Sequence, residues 1–572
     1  MDKSDVARVL AQIAALLELK GENPFRIRAY QAAARALAAI PGDLRAAHAS
    51  GALGETSGIG PATLEIVDEL LTSGRSRMLD DLQDQVPPGL TDMLRISGLG
   101  VAKVRQIHES LHVDSLAELE EAARDGRLAR LPRFGPRTAE KILKGITFLR
   151  QASGQRLAHH ARAEAVALAQ MLSRLTGVRE VHLAGSLRRH CELVRDLDLV
   201  LVAERDDESL HARLREAAGA VETARGGGAV SLRLEAGAAA DLYPCTRDTA
   251  GWVLLRATGN DAHLAALRER AAAGGLRWED DGLYRGDQAL PLPSEQAVYD
   301  VIGLPWIAPE LREGHGEIEA AVAGRLPRLV ERDDLRGFLH CHTGYSDGTN
   351  TVREWADAGI AQRYAYLGIT DHSPATAFAG SLQPEHVPQQ HREIDAANAA
   401  QSGIRVLKGV EADILEDGSL DYAPDVRRAF EFAIASVHTR FGMDRHGLTE
   451  RVLRAMDDPT MTILGHPTGR LLLSRDPFPL DLDRVFARAA ERGVAIEINA
   501  DPQRLDLDWR DVRRAAAAGV TISIGADAHG TAQMSHVDLG LGIARKGWLE
   551  PQHLLNVRPV DEFLAFARRR RP

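Results

Sequence analysis

From residue 336 onward, short apolar runs alternate with helical stretches, and nearly every run ends in a His, Asp, Glu or Asn. The runs fall at 338–341, 365–370, 405–410, 432–437, 461–464, 494–498 and 520–524. Strands buried on both faces read as unbroken apolar segments, so this alternation predicts parallel βα units and a closed barrel. Side chains delivered from the strand ends of such a fold converge on one rim. Here they are His340 and His342, Asp347 in the next loop, His372 (preceded by Asp371), Glu411, His438, His466, and the pair Asp527 and His529. In a regular strand the two-residue spacing puts both imidazoles of His340 and His342 on one face and turns Cys341 away. A lone strand-end histidine is as well explained as a core residue. Two such pairs with four further ligands in one domain are not. Imidazole with carboxylate suits Zn²⁺ or Mn²⁺, and closely spaced ions polarise a phosphate and generate a hydroxide nucleophile.

A second cluster lies upstream. Gly185-Ser186-Leu-Arg-Arg189 precedes Asp196-Leu-Asp198, and Asp241 follows on a later strand. Asp196 and Asp198 alternate with apolar residues and so share one strand face. Carboxylates aimed at one point repel unless a divalent cation lies between them, and Mg²⁺ or Mn²⁺ is held this way together with substrate phosphates. Three of them make a two-metal site for in-line nucleotidyl transfer. The Gly185-Ser186 turn and Arg189 offer amide, hydroxyl and guanidinium donors to a triphosphate.

A net charge of −11, from 70 basic and 81 acidic residues, excludes bulk attraction as a means of binding nucleic acid. Local devices must serve instead. Gly58-Ile-Gly60, Gly98-Leu-Gly100 (after Ser97) and Phe134-Gly135 each lead into a helix, whose N-terminal amides can bind phosphate without side-chain charge. Arg133, Arg137, Lys141 and Lys144 reinforce the third.

At 572 residues the chain needs several cores. Helical spacing from Val6 to Ala47, broken at Gly21–Pro24 and Pro41–Gly42, predicts a small bundle, and 155–176 reads as one long helix. Strands are expected at 181–184, 197–202, 230–234 and 239–243, with helices and short turns from Thr258 to Arg312. Three scattered cysteines, an acidic start and no long apolar run point to a reduced cytoplasm, with no membrane span. The Arg568–Arg571 run reads as a solvated tail.

The 185–241 pattern resembles the family X (polymerase-beta-like) nucleotidyltransferases, and the ligand order of the C-terminal part resembles the PHP family of phosphoesterases. Their fusion is similar to the bacterial family X type. The resemblance implies a multidomain architecture of a helical N-terminal domain (1–95), helix-hairpin-helix fingers (96–150), an α+β palm (151–250), a thumb (251–313), a linker (314–335) and a distorted barrel (336–572). It implies that Asp196 and Asp198 hold two metals and that Asp241 helps to deprotonate a primer 3′-hydroxyl. Thr258-Gly259 is placed beside the incoming nucleotide. In the barrel it implies up to three ions, Mn²⁺ or Zn²⁺, with Glu411 bridging two of them. Glu497 and Asn499 stand outside the ligand pattern. The expected activities are gap-filling DNA repair synthesis and 3′-5′ exonuclease or abasic-site cleavage. The expected partners are gapped or primed duplex DNA and dNTPs, for a monomer associated with the nucleoid. Arg195, His190 and Arg256-Ala257 depart from the family pattern around the nucleotide. The expected lyase lysine is replaced by Ile66, with Ala62 at a second lysine position, so no lyase activity is expected by that route. Two alternatives follow: a nuclease with a silent polymerase half, and a small-molecule phosphatase of the histidinol-phosphate type.

Overall fold

The computed structural model describes residues 3–571 apart from 39, 41–43, 97, 152–153, 219–220, 227–228, 235–237, 377–379 and 402. The Pro41–Gly42 break and Ser97 lie outside the described residues. The chain divides into two compact units, residues 1–153 and nearly all of 154–572.

The first unit is all helical. Val6, Leu10, Ile13 and Leu17 recur at helical spacing along Lys3–Leu19 and are almost wholly buried. That stripe packs against Pro24–Ala38, and one continuous apolar core runs on to Leu149.

The second unit begins with a five-stranded sheet in the order Val178–Leu183, Asp196–Ala203, Ala239–Cys245, Ala229–Arg233, Val221–Gly226. Only the pair 196–203 with 239–245 is parallel. Leu197, Leu199 and Leu201 face a core shared with the helices Ala158–Leu172 and Glu208–Ala217. The opposite row runs Asp196, Asp198, Val200, Val202. Its apolar half packs with residues of the helix Ala250–Thr258, which leaves the carboxylates at the open end. The helix expected over 155–176 is shorter, because Arg156–Leu157 pairs as a strand with Leu193–Val194. The thumb helices Asp261–Ala273 and Glu295–Ile302 are joined by three strands of two or three residues each, too short to carry a period in sequence.

The stretch read as a linker is packed. It contains the helix Glu317–Val322, and Glu317 is fully buried 2.7 Å from His263 Nδ1 while accepting the amides of Gly314 and His315. A charge placed so deep needs partners, and the fixed loop supplies them.

Seven parallel strands then close a barrel: Gly337–Cys341, Tyr366–Ile369, Arg405–Asp413, Phe432–Ser436, Ile463–Leu464, Ala495–Asn499 and Ile522–Ala528. Leu339, Leu407, Phe432, Ile434 and Ile463 fill the interior with Phe563 and Phe566 of the C-terminal helix Val560–Arg568. The arginine run at its end, read as a solvated tail, is solvated only in part: Arg568 and Arg569 are exposed and Arg570 and Arg571 half-buried. Arg569, Arg570 and Arg571 donate to the carbonyls of Gly493, Met461 and Phe430 respectively. Carbonyls left at element ends are strong acceptors, and these guanidiniums cap them. Among the described residues no helix is long and apolar enough to cross a membrane.

Candidate active sites

The palm site follows from the parallel register. Asp198 stands opposite Asp241 on the adjoining strand, and Asp196 is two residues up the same face. Burial raises the Asp198 carboxyl to about 7, with the charges of Asp196 and Asp241 adding to the shift. Burial and then Asp241 raise Asp196 as well. The Asp198 carboxylate accepts a long hydrogen bond from Tyr243 Oη at 3.3 Å. Three crowded carboxylates, with ionisation disfavoured at Asp196 and Asp198, fit a divalent cation. They floor an open cleft of about 920 Å³ whose walls include Ser186, Arg256 and Gly259.

Gly185 is required where it stands. Its φ is +58°, and a Cβ there would lie 1.7 Å from Asp198 Oδ2. The two arginines of the turn divide their work. Arg188 grips Glu295 with two hydrogen bonds of 2.7 and 2.8 Å and also donates to Thr258 Oγ1. Arg189 lines the cleft, donating from Nε to Glu313 Oε1 at 2.9 Å and from Nη1 to the Thr258 carbonyl at 2.7 Å. Thr258 is therefore fully buried and clamps the thumb to the palm turn, while Gly259 reaches the cleft. Arg256 is paired with Asp280 across the same cleft, and Arg195 is exposed.

At the barrel rim the nine residues singled out in the sequence come together. Three groups have ligand atoms within 4.8 Å of one another: His342, Asp347, His372 and His529; His340, His342, Glu411 and Asp527; and His372, Glu411 and His438. His466 Nε2 lies 3.1 Å from Glu411 Oε1. His342 Nδ1, Asp347 Oδ1 and His466 Nδ1 are buried without a hydrogen-bond partner, while His372 Nδ1 and Glu411 Oε2 face one another at 2.8 Å as two ligands of one ion would. Each such orphan costs about 1–3 kcal/mol, and metal coordination is what this donor set would satisfy.

The charges interlock. His342 is driven down to about 3 by burial and by His529 and His372 beside it. His438 and His529 rise to about 10 and about 9: burial opposes both, but Glu411 with Asp413 outweighs it at the first and Asp347 with Asp527 at the second. Glu411 is held well below the carboxylate range despite full burial, chiefly by His340, His372 and His438.

The strand that carries His340 and ends one residue before His342 is not regular. Its register slips against both neighbours, and His340 takes φ +63°. The bulge, rather than simple alternation, aims the first imidazole. Cys341 does turn away, its Sγ donating to the Gly368 carbonyl.

Other side chains fix the ring orientations. Glu497 Oε1 holds His340 Nδ1 at 2.6 Å, and Asn499 Nδ2 donates to both Glu497 and Asp527. Asp371 ties the 343–346 loop, accepting from Thr343, Ser346 and Gln390. Two functional positions escaped the sequence reading. Asp413 orients His438 Nδ1 at 3.2 Å, and its spacing of two from Glu411 on one strand could have revealed it. Arg504 approaches Asp527 Oδ2 at 3.7 Å from a loop, where no period marks it.

The three glycine turns of the first unit are one backbone motif repeated. Ile59, Leu99 and Phe134 are buried plugs whose amides donate back to Thr56, Ile96 and Leu131 at 3.1, 2.9 and 3.0 Å. The residue before each plug is left-handed: Gly58, Gly98, and Arg133 with φ +71°. Gly60, Gly100 and Gly135 precede their helices with open space where a Cβ would be. Arg133, Arg137, Lys141 and Lys144 are all exposed around the third turn.

Family models match this chain as a helix-hairpin-helix domain over residues 1–76, a SAM-like helix-hairpin-helix tandem over 90–147, the DNA polymerase beta thumb over 253–313 and a PHP domain over 339–501. Among curated proteins, the DNA polymerase/3′-5′ exonuclease PolX of Bacillus subtilis (strain 168) is 34% identical over 574 residues, covering 100% of both chains. The chain belongs to the PolX family. Family membership explains why one chain carries both clusters, and it brings DNA binding and divalent-metal dependence with it. Probable phosphatases match part of the chain only. That of Acetivibrio thermocellus is 29% identical over 210 residues, 35% of this chain and 81% of its own length. One from Thermoanaerobacter sp. (strain X514) is 25% identical over 248 residues, 40% of this chain and 95% of its own. In this PolX chain Asp527 and His529 lie beyond the PHP match, yet they close the metal groups.

Proposed function

We propose that this PolX chain fills short gaps in DNA by nucleotidyl transfer at the palm and degrades DNA 3′ to 5′ at the barrel rim, with abasic-site cleavage as a further use of the rim. The observation that carries the reading is the pairing, in one PolX chain, of a carboxylate trio beside an open cleft with a rim of nine converging His, Asp and Glu side chains. Asp196, Asp198 and Asp241 would hold Mg²⁺ or Mn²⁺. The nine rim residues would hold Mn²⁺ or Zn²⁺, up to three ions with Glu411 shared. Bound there, such ions supply Lewis acidity to the phosphate and acidify a water or hydroxyl.

The chain's own residues do the rest. Asp241 accepts the proton of a primer 3′-hydroxyl. Ser186, the Gly185 amide, Arg189 and Gly259 bind and orient the triphosphate of a dNTP in the cleft. The amides at Gly58–Gly60, Gly98–Gly100 and Gly135 hold DNA phosphates, aided by Lys141. The working divisions are 1–95, 96–150, 151–250, 251–313, 314–335 and 336–572, acting in the nucleoid as a monomer. Ile66 is buried in the core of the N-terminal unit, and the helix Pro61–Ser73 contains no lysine. No Schiff-base lyase step follows from it.

The alternative, a nuclease with a silent palm, would have to rest on Arg256, which pairs with Asp280 inside the cleft. Primer extension on a one-nucleotide gap separates the two. The proposal expects one templated nucleotide to be added by wild type and none by D241A. No addition by wild type with any dNTP, under Mg²⁺ or Mn²⁺, would select the silent palm.

A further inference from the structure

The helix Val537–Lys546 belongs to the barrel. It begins eight residues after His529 and runs against the palm turn. The approach is close enough that a Cβ on Gly542 would lie 2.1 Å from His190 Nδ1. At its end Lys546 is 1% exposed, and its ammonium ion-pairs with Glu313 Oε1 while donating to the Arg189 carbonyl at 3.2 Å. Glu313 is the same carboxylate that accepts from Arg189 Nε at 2.9 Å, and its other oxygen accepts from Asn260 Nδ2 at 3.2 Å. The acid is 14% exposed, so solvent screens it little.

The balance of charge matters because Arg189 faces the cleft. Two cations share one buried anion, which leaves the group with a net positive charge beside the carboxylate trio. Without Lys546 the anion would have Arg189 as its only cation, and the pair would be neutral. A neutral, tightly held pair attracts a triphosphate less than a guanidinium whose counter-charge is already satisfied.

We propose that Lys546, a residue of the barrel domain, is a positioning residue of the polymerase site: it takes up the charge of Glu313 so that Arg189 remains cationic toward the incoming nucleotide. This rests on the reading of Arg189 as a triphosphate contact. It makes the barrel part of the polymerase independently of any reaction at the metal rim.

The test is steady-state single-nucleotide insertion by the full-length protein, wild type against K546M, K546R, E313Q, K546M/E313Q and R189A. K546M should raise the KM for dNTP roughly tenfold, equivalent to about 1.4 kcal/mol, with kcat changed less than about twofold. K546R should restore the wild-type KM. K546M/E313Q should return to within about twofold of wild type, because Arg189 then has no acid to neutralise it. A simple packing role predicts instead that the double variant is at least as impaired as K546M, and that result overturns the proposal. So does a K546M that loses kcat with KM unchanged. If K546M fails to fold, the double variant decides alone, since it leaves no buried acid short of a cation. R189A with an unchanged KM would remove the triphosphate reading itself, and the proposal with it. R189A with a raised KM beside a normal K546M would overturn the proposal alone.

Discussion

Asp198, proposed as a metal ligand, has its ionised form disfavoured in the absence of a cation. Its carboxyl stands at about 7, above the 3.8 of an unconstrained aspartate, because burial and two like charges disfavour ionisation. A raised folded value means that the native state binds more protons than the unfolded chain as pH climbs from about 4 to about 7. The metal-free protein therefore loses stability across that window. D198N removes the cost. It is expected to raise the apparent melting temperature in EDTA, and to do so more at pH 8 than at pH 5; an equal or opposite shift contradicts the electrostatic account. At the rim the protons run the other way. His438 and His529, at about 10 and about 9, are charged at neutral pH without metal, and imidazole binds metal in its neutral form. Loading should therefore release protons and tighten as pH rises. Titration calorimetry of Mn²⁺ in two buffers of different ionisation enthalpy should give different apparent heats, and identical heats would refute the assignment.

Among elements, the hairpins separate binding from stability most cleanly. Gly100 has φ −76° and ψ 166°, ordinary extended backbone, with nothing within 4 Å of a Cβ. An aspartate there could cap the helix Val101–Leu111, a change worth only about a few tenths of a kcal/mol over glycine in favour of folding. It would also set an anion where phosphate must sit. G100D is thus expected to weaken binding of gapped DNA about tenfold or more with no loss in melting temperature. Unchanged affinity would show that the second hairpin does not touch DNA.

The same comparison shows what an amino-acid pattern carries. The first two hairpins were legible because glycine marks the left-handed position. The third was only half legible because Arg133 occupies that position without a glycine to announce it. The barrel strands were legible as apolar runs with ligands at their ends. The bulge at His340 was not, since a register slip leaves no period. The thumb strands were too short to see, and the packed linker hid behind glycines that in fact cap and turn around buried Glu317.

At the scale of the whole chain, palm, thumb and barrel share one compact unit, while the helical residues 1–153 form another. Within the larger unit the two proposed sites would draw on separate carboxylate sets, Asp196, Asp198 and Asp241 in one and Asp347, Glu411 and Asp527 in the other. No ligand is common to both. Contacts such as Arg470 with Glu192 and Arg545 with Glu310 fix the barrel to the polymerase half without entering either cluster. Loss of one activity should accordingly leave the other standing. Substitutions in one cluster, which shares no residue with the other, are expected to act additively with substitutions in that other.

That independence is most directly measured on a gapped duplex with Mn²⁺, following extension and 3′-end degradation in wild type, D198A and H342A, with and without dNTPs. The account predicts that D198A loses extension and keeps degradation, and that H342A loses degradation and keeps extension. Loss of both activities in either variant, or extension that survives D198A, would contradict it.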